Sequence, residues 1–136
     1  MNFNLASKLV LIILISLLTA CNGYKVQKRV NSLEAAITSY GVALRWAEYD
    51  TLYAYYVSPN GTQPPVDMNR LEELSVTGME IKQKTVNEEQ TEANVKAIVK
   101  YYIKSEGNIR ELKLNQDWWY NEINKQWYID GEFPKF

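Results

Sequence analysis

Ala93-Asn94-Val95-Lys96-Ala97-Ile98-Val99-Lys100-Tyr101-Tyr102-Ile103-Lys104 alternates in a period of two over twelve residues. Successive side chains of a strand point to opposite faces, so Ala93, Val95, Ala97, Val99, Tyr101 and Ile103 share one face. The other face takes Asn94, Lys96, Ile98, Lys100, Tyr102 and Lys104. One face in a core and one mostly in water is the pattern of an antiparallel sheet. The neighbouring segments extend it. Val76 to Val86 reads as a preceding strand, polar in its second half, and Asn87-Glu88-Glu89-Gln90 is the turn between them. Glu106-Gly107-Asn108 makes a hairpin turn. Ile109 to Tyr120 is a third strand with Leu112, Leu114, Gln116, Trp118 and Tyr120 facing inward. Asn121 to Lys125 turns the chain once more, and Gln126 to Asp130 is the fourth strand.

Upstream of the strands the period changes. Val26, Val30, Leu33, Ile37, Tyr40, Leu44 and Ala47 recur at steps of four and three, which gives one apolar stripe on a long helix. Asn31 or Ser32 is placed to cap its start. Gly41 lies near the stripe, where a small residue permits close packing. Asp50-Thr51-Leu52 reads as a fresh N-cap, so a break is expected near Tyr49, followed by a short helix from Thr51 to Val57. Ser58-Pro59-Asn60-Gly61 ends it, and Pro64-Pro65 keeps the next loop extended. Asp67 is placed to cap one more short helix, Met68 to Leu74. Helices first and strands last predict an α+β fold: a long N-terminal helix and short helices packed on a curved antiparallel sheet of about four strands.

The N-terminus carries a different kind of signal. Lys8 precedes an apolar run from Leu9 to Leu18, and Leu18-Thr19-Ala20-Cys21 follows. The stretch from Leu9 to Ala20 is short of the roughly 20 apolar residues that span a bilayer. A basic residue, an apolar run, small residues and then cysteine resemble the bacterial lipoprotein signal with its lipobox. The resemblance implies that residues 1–20 are a signal peptide that is removed. It implies that Cys21 is lipidated on its sulfur and its amino group. Residues 21–28 would then be a polar tether and residues 29–136 the folded domain. Asn22, rather than aspartate, stands where the common inner-membrane retention signal would be. The implied address is the cell envelope, and the outer membrane facing the periplasm if the source is Gram-negative. Acylation also accounts for the chain's single cysteine, which in an exported protein has no internal partner.

Composition narrows the chemistry. The chain has 136 residues, no histidine, ten tyrosines and four tryptophans. Without histidine, His-based metal sites, serine triads and the commonest general base are excluded. No basic stripe marks a nucleic-acid partner. Glu88, Glu89 and Glu92 lack the spacing of a calcium loop. No metal or cofactor is expected. The aromatic excess is enough to fill a small core or line an apolar cleft.

A second resemblance rests on two stretches. The first is Ala43-Leu44-Arg45-Trp46-Ala47-Glu48-Tyr49-Asp50-Thr51-Leu52-Tyr53, running on to Ser58-Pro59. The second is the final hairpin, Asp117-Trp118-Trp119-Tyr120 and Gln126-Trp127-Tyr128-Ile129-Asp130-Gly131. Together they resemble the nuclear transport factor 2-like (NTF2-like, cystatin-like cone) superfamily, and in particular small bacterial lipoproteins carrying that domain. The likeness covers residues 28–133. It implies a cone with a pocket between the long helix and the curved sheet. Superfamily members include isomerase- and dehydratase-type enzymes, protein-binding modules and secretion-system components, so the likeness speaks to shape rather than chemistry.

Three constellations follow. An enzyme of that kind uses a pocket base beside a Tyr donor, and the nearest material here is Glu48, Tyr49, Asp50 and Tyr53. Asp50 reads better as a helix cap, and the inward stripes carry no carboxylate, so no catalytic residue is expected. A pocket for a small apolar ligand would draw on Trp46, Tyr53, Tyr101, Gln116, Trp118 and Tyr120, with Gln116 as its polar group. An interaction face would draw on Ile98, Tyr102 and Trp119, opposite the core, for an envelope protein or a second copy. The C-terminal Phe133-Pro134-Lys135-Phe136 is an alternative cover for that face. The expected role is a membrane-tethered, non-enzymatic binding or assembly module.

Overall fold

The computed structural model describes the backbone from residue 5 and the side chains from residue 23, in both cases to residue 136. The lipobox-like stretch and Cys21 therefore lie outside the residues with described side chains. Helix α1 (Leu5–Arg45) is followed by α2 (Tyr49–Ala54) and α3 (Met68–Leu71). Four strands come next: β1 (Leu74–Val86), β2 (Glu92–Ile103), β3 (Ile109–Asn121) and β4 (Gln126–Asp130). They pair antiparallel in sequence order and form one curved, open sheet. The fold is α+β, with the long helix laid on one face of that sheet.

The apolar stripe of α1 is its buried face: Leu33, Ile37, Tyr40, Ala43 and Leu44 are buried, while Val26 and Val30 are half-buried. Residues 23–28 already belong to α1, so Asn31 and Ser32 cap nothing. Ser32 instead donates from Oγ to the Arg29 carbonyl, 2.8 Å away, within the helix. Gly41 is not required by close packing, since a Cβ there would meet Met79 Sδ at an ordinary 3.8 Å.

The break between α1 and α2 falls at Trp46–Glu48, slightly earlier than expected. Ala47 takes a left-handed conformation (φ 57°). Glu48 N–H then donates to the Ala43 carbonyl at 2.9 Å, and Ala47 N–H to that of Leu44 at 3.4 Å. This is the paired closure of a Schellman motif, with alanine where glycine is usual. Ala47 is consequently exposed and leaves the stripe. The earlier break also moves the start of α2. Glu48 holds its N-cap position without a side-chain bond, and Asp50 sits exposed in the first turn. The expected Asp50 cap is thus corrected: the cap position falls two residues earlier. Asp67, in contrast, does cap α3: its carboxylate accepts from Asn69 N–H at 3.2 Å. That helix stops at Leu71, because Leu74 has already paired with Ile103 in the sheet.

The sheet register places the inward residues opposite one another: Val95 faces Gln116, Ala97 faces Leu114 and Ala93 faces Trp118. Trp118 in turn pairs with Ile129 of β4. In β1 the register slips between Val76 and Gly78 and again between Ile81 and Gln83. Such bulges bend a strand and increase its twist. From Glu80 to Thr85 β1 is exposed, in keeping with its polar second half. Gln90 and Gly107 take positive φ in the two following turns, and Lys125 in the last. Asn87 organises its turn by accepting from Thr91 N–H at 2.8 Å and Glu92 N–H at 3.0 Å.

The end of α2 is tied to the last strand. Ile129 N–H donates to the Tyr55 carbonyl at 2.7 Å, and Tyr56 makes a parallel bridge with Ile129. Trp127 reaches from β4 to α1, donating from Nε1 to Ser32 Oγ at 3.0 Å. These two ties close the far edge of the sheet against both helices.

Candidate functional site

The interior between α1, α2 and the sheet holds a cluster of rings around one amide. Leu52 and Tyr56 lie four apart in and just after α2, so both point to the core, at 0% and 1% exposure. Tyr40 comes from the middle of the α1 stripe and is fully buried. Its hydroxyl meets that of Tyr56 at 2.7 Å. Gln116, projected from β3, donates from Nε2 to the Tyr56 hydroxyl at 3.0 Å. Trp118, two residues further on the same face, packs edge-on to Tyr40 and Tyr55, with centroids 6.0 Å and 5.7 Å away. Phe133 closes the cluster against Tyr56 and Tyr53.

Two polar atoms in this interior, Gln116 Oε1 and Trp118 Nε1, have no protein partner. The phenols around them are neutral. Burial pushes the Tyr56 hydroxyl up to about 12 and raises that of Tyr40 well above its ordinary value. An unfolded tyrosine releases its proton near 10, whereas the folded one keeps it. The stabilising contribution is therefore complete below pH 10 and is lost as pH rises towards 12. Tyr56 alone should remove about 2–3 kcal/mol across that window, the free-energy equivalent of its raised pKa. Urea unfolding at stepped alkaline pH should show the loss, and Tyr56→Phe should reduce it, leaving the part that buried Tyr40 contributes.

The six residues expected to line one pocket do not come together. Gln116 and Trp118 are neighbours in the buried cluster, and Tyr53 joins them through Phe133. Tyr101 is buried elsewhere, edge-on to Phe136 at 5.2 Å. Tyr120 is half-buried at the opposite end, against Trp127 and beneath the Arg29 guanidinium, 5.4 Å from its ring centroid. Trp46 is corrected outright: at 72% exposure it lies in solvent, because the chain leaves α1 there. The expected interaction residues fare differently. Ile98 and Tyr102 lie half-exposed on the outer sheet face. Trp119 shares that face but is partly covered, donating from Nε1 to the Val57 carbonyl at 2.7 Å and packing on Tyr128.

Three features of the interior are only partly evident from the sequence pattern. The helical stripe places Tyr40 in the core but says nothing of its hydrogen bond. Tyr56 carries one readable signal, its spacing of four from Leu52, which marks the same helical face. The C-terminal tail does not cover the outer face. It packs instead on the core side, through Phe133 and Phe136. There it borders a cleft of about 400 Å³ walled by Val66, Leu71, Leu74, Ile103 and Phe136, with Arg70 and Lys135 at the rim.

Among the described residues, no group of three or more Cys, Asp or Glu is placed to hold a metal ion. Among residues 23–136, no helical stretch is long and apolar enough to cross a membrane. Asn60, which begins an Asn-Gly-Thr sequence, uses its side chain to build its own turn, accepting from Thr62 N–H at 3.0 Å. Compared with protein-family models, curated proteins and solved structures, the chain matches none.

Proposed function

We propose that this chain is a membrane-tethered, non-enzymatic binding or assembly module of the bacterial cell envelope, built on an NTF2-like cone. The sequence supports the tether through Lys8, the Leu9–Leu18 run and the lipobox-like Leu18-Thr19-Ala20-Cys21. The cone reading is supported by a long helix across one face of a curved four-stranded meander. The observation that carries the non-enzymatic part is the filling of the interior. Its polar groups are two phenols held protonated, one amide and the Trp118 indole N–H, and Asp50, the nearest candidate base, is exposed. A charge-neutral, ring-filled interior suits a scaffold better than a proton-transfer site.

In this reading contact is made by the outer sheet face around Ile98 and Tyr102, with an envelope protein or a second copy. Ile98→Glu with Tyr102→Glu should leave folding intact, since both side chains are already half in water. It should dissolve the assembly that wild-type protein forms in native gels of solubilised membranes. An unchanged band in the double variant would remove this face from the reading. A second reading, a small apolar ligand, is favoured by the apolar cleft beside Phe136. It requires saturable binding of such a ligand that Leu71→Arg abolishes.

A further inference from the structure

The part of α1 with described side chains begins Gly23-Tyr24-Lys25-Val26-Gln27-Lys28-Arg29, and its exposed side meets the β3–β4 turn. The two elements enclose a cleft of about 500 Å³. Its charged lining is four basic side chains, Lys25, Lys28, Arg29 and Lys125, against one carboxylate, Glu122. Arg29 and Lys125 both pair with Glu122, the latter at 2.9 Å. Lys25 and Lys28 have no carboxylate partner among the described residues. The aromatic walls are Tyr24, 72% exposed, and Tyr120, which backs the Arg29 guanidinium. The cleft is thus preorganised by Glu122 and Tyr120 and keeps an excess of positive charge.

Its place along the chain supplies a second argument. Tyr24 is three residues after Cys21, and a chain spans at most about 3.6 Å per residue. A lipid on Cys21 would hold Tyr24 within about 11 Å of the anchored residue, and Lys25 within about 14 Å. The headgroup layer of a bilayer is itself about 5–7 Å deep on each side. Tyrosine is the residue type that settles in that layer, and nearby lysines and arginines are drawn to anionic lipid.

We propose that this cleft binds the anionic headgroup of phospholipid in the membrane that carries the chain, so that the domain stands on the bilayer by its Lys25–Lys125 end. The proposal rests on the tethered reading above.

The test uses the full chain purified from membranes and added to preformed vesicles. One set is phosphatidylcholine alone, and the other is an equimolar mixture with phosphatidylglycerol. Flotation reads the tether, and mass-resolved acetylation with an amine reagent reads each lysine. On the mixed vesicles Lys25 and Lys28 should react about fivefold more slowly than on phosphatidylcholine, the rate equivalent of about 1 kcal/mol per lysine. Lys100 and Lys113, on the sheet, should react alike on both. High salt should erase the difference, and Lys28→Glu should remove the protection of Lys25. Flotation with both vesicle types but equal acetylation of Lys25 would overturn the headgroup site and leave the tether standing. Equal protection by inorganic phosphate on phosphatidylcholine vesicles would mark a site for the free ion and overturn it too. Flotation with neither vesicle would overturn the tether and this proposal together.

Discussion

Trp118→Ala is expected to cost about 3–5 kcal/mol of stability, the range for truncating a large aromatic inside a core. Trp118 is 1% exposed, faces Ala93 and Ile129 across the sheet, and meets Tyr40 and Tyr55 edge-on. A loss that large approaches the whole stability of a small domain. Trp118→Phe should cost much less. It keeps part of the ring contact and deletes an indole N–H that has no partner in the interior. Urea unfolding followed by the remaining tryptophans measures both. Near-equal midpoints for wild type and Trp118→Ala would mean that the ring is not a core element.

Tyr56→Phe should cost more than a lost hydroxyl on the surface ever does. The Tyr56 hydroxyl accepts from Gln116 Nε2 and pairs with Tyr40. Its removal strands two buried groups at about 1–3 kcal/mol each. The diagnostic is reversal. Tyr40→Phe and Gln116→Leu, added to Tyr56→Phe, remove the three bonded groups together and should recover much of the loss, because none of the three is then left unpaired. Additive losses across the three substitutions would contradict the network. The result also bears on function, since a polar cluster kept for a ligand would sacrifice binding when made apolar even if stability returned.

How far the sequence is legible depends on the range of the forces involved. The β2 alternation determines the inward set, and the register follows, because a slip of one residue would put Lys96 and Lys100 in the core. Each turn is marked by its own residue types. Helix ends are harder. Ala47 adopts a glycine-like conformation that its residue type does not advertise, and this displaces the cap of α2 from Asp50 to Glu48. Trp46 escapes the core for the same reason. The candidate site is the least legible part. Alternation places Gln116 and Trp118 inward correctly, but the partner of Gln116 is Tyr56, sixty residues away. Only the tie of Tyr55 and Tyr56 to Ile129 of β4 brings that hydroxyl within reach. The path of the C-terminal tail is similarly open, as nothing local decides which side of a sheet a four-residue segment covers.

In the proposed reading, Cys21 holds the domain at a membrane. Metabolic labelling with a palmitate analogue, read in the membrane and soluble fractions for wild type and Cys21→Ser, tests it most directly. The account expects labelled wild-type protein in the membrane fraction. It expects Cys21→Ser to be unlabelled, and either soluble or retained as the longer precursor. Unlabelled wild-type protein in the soluble fraction would contradict it.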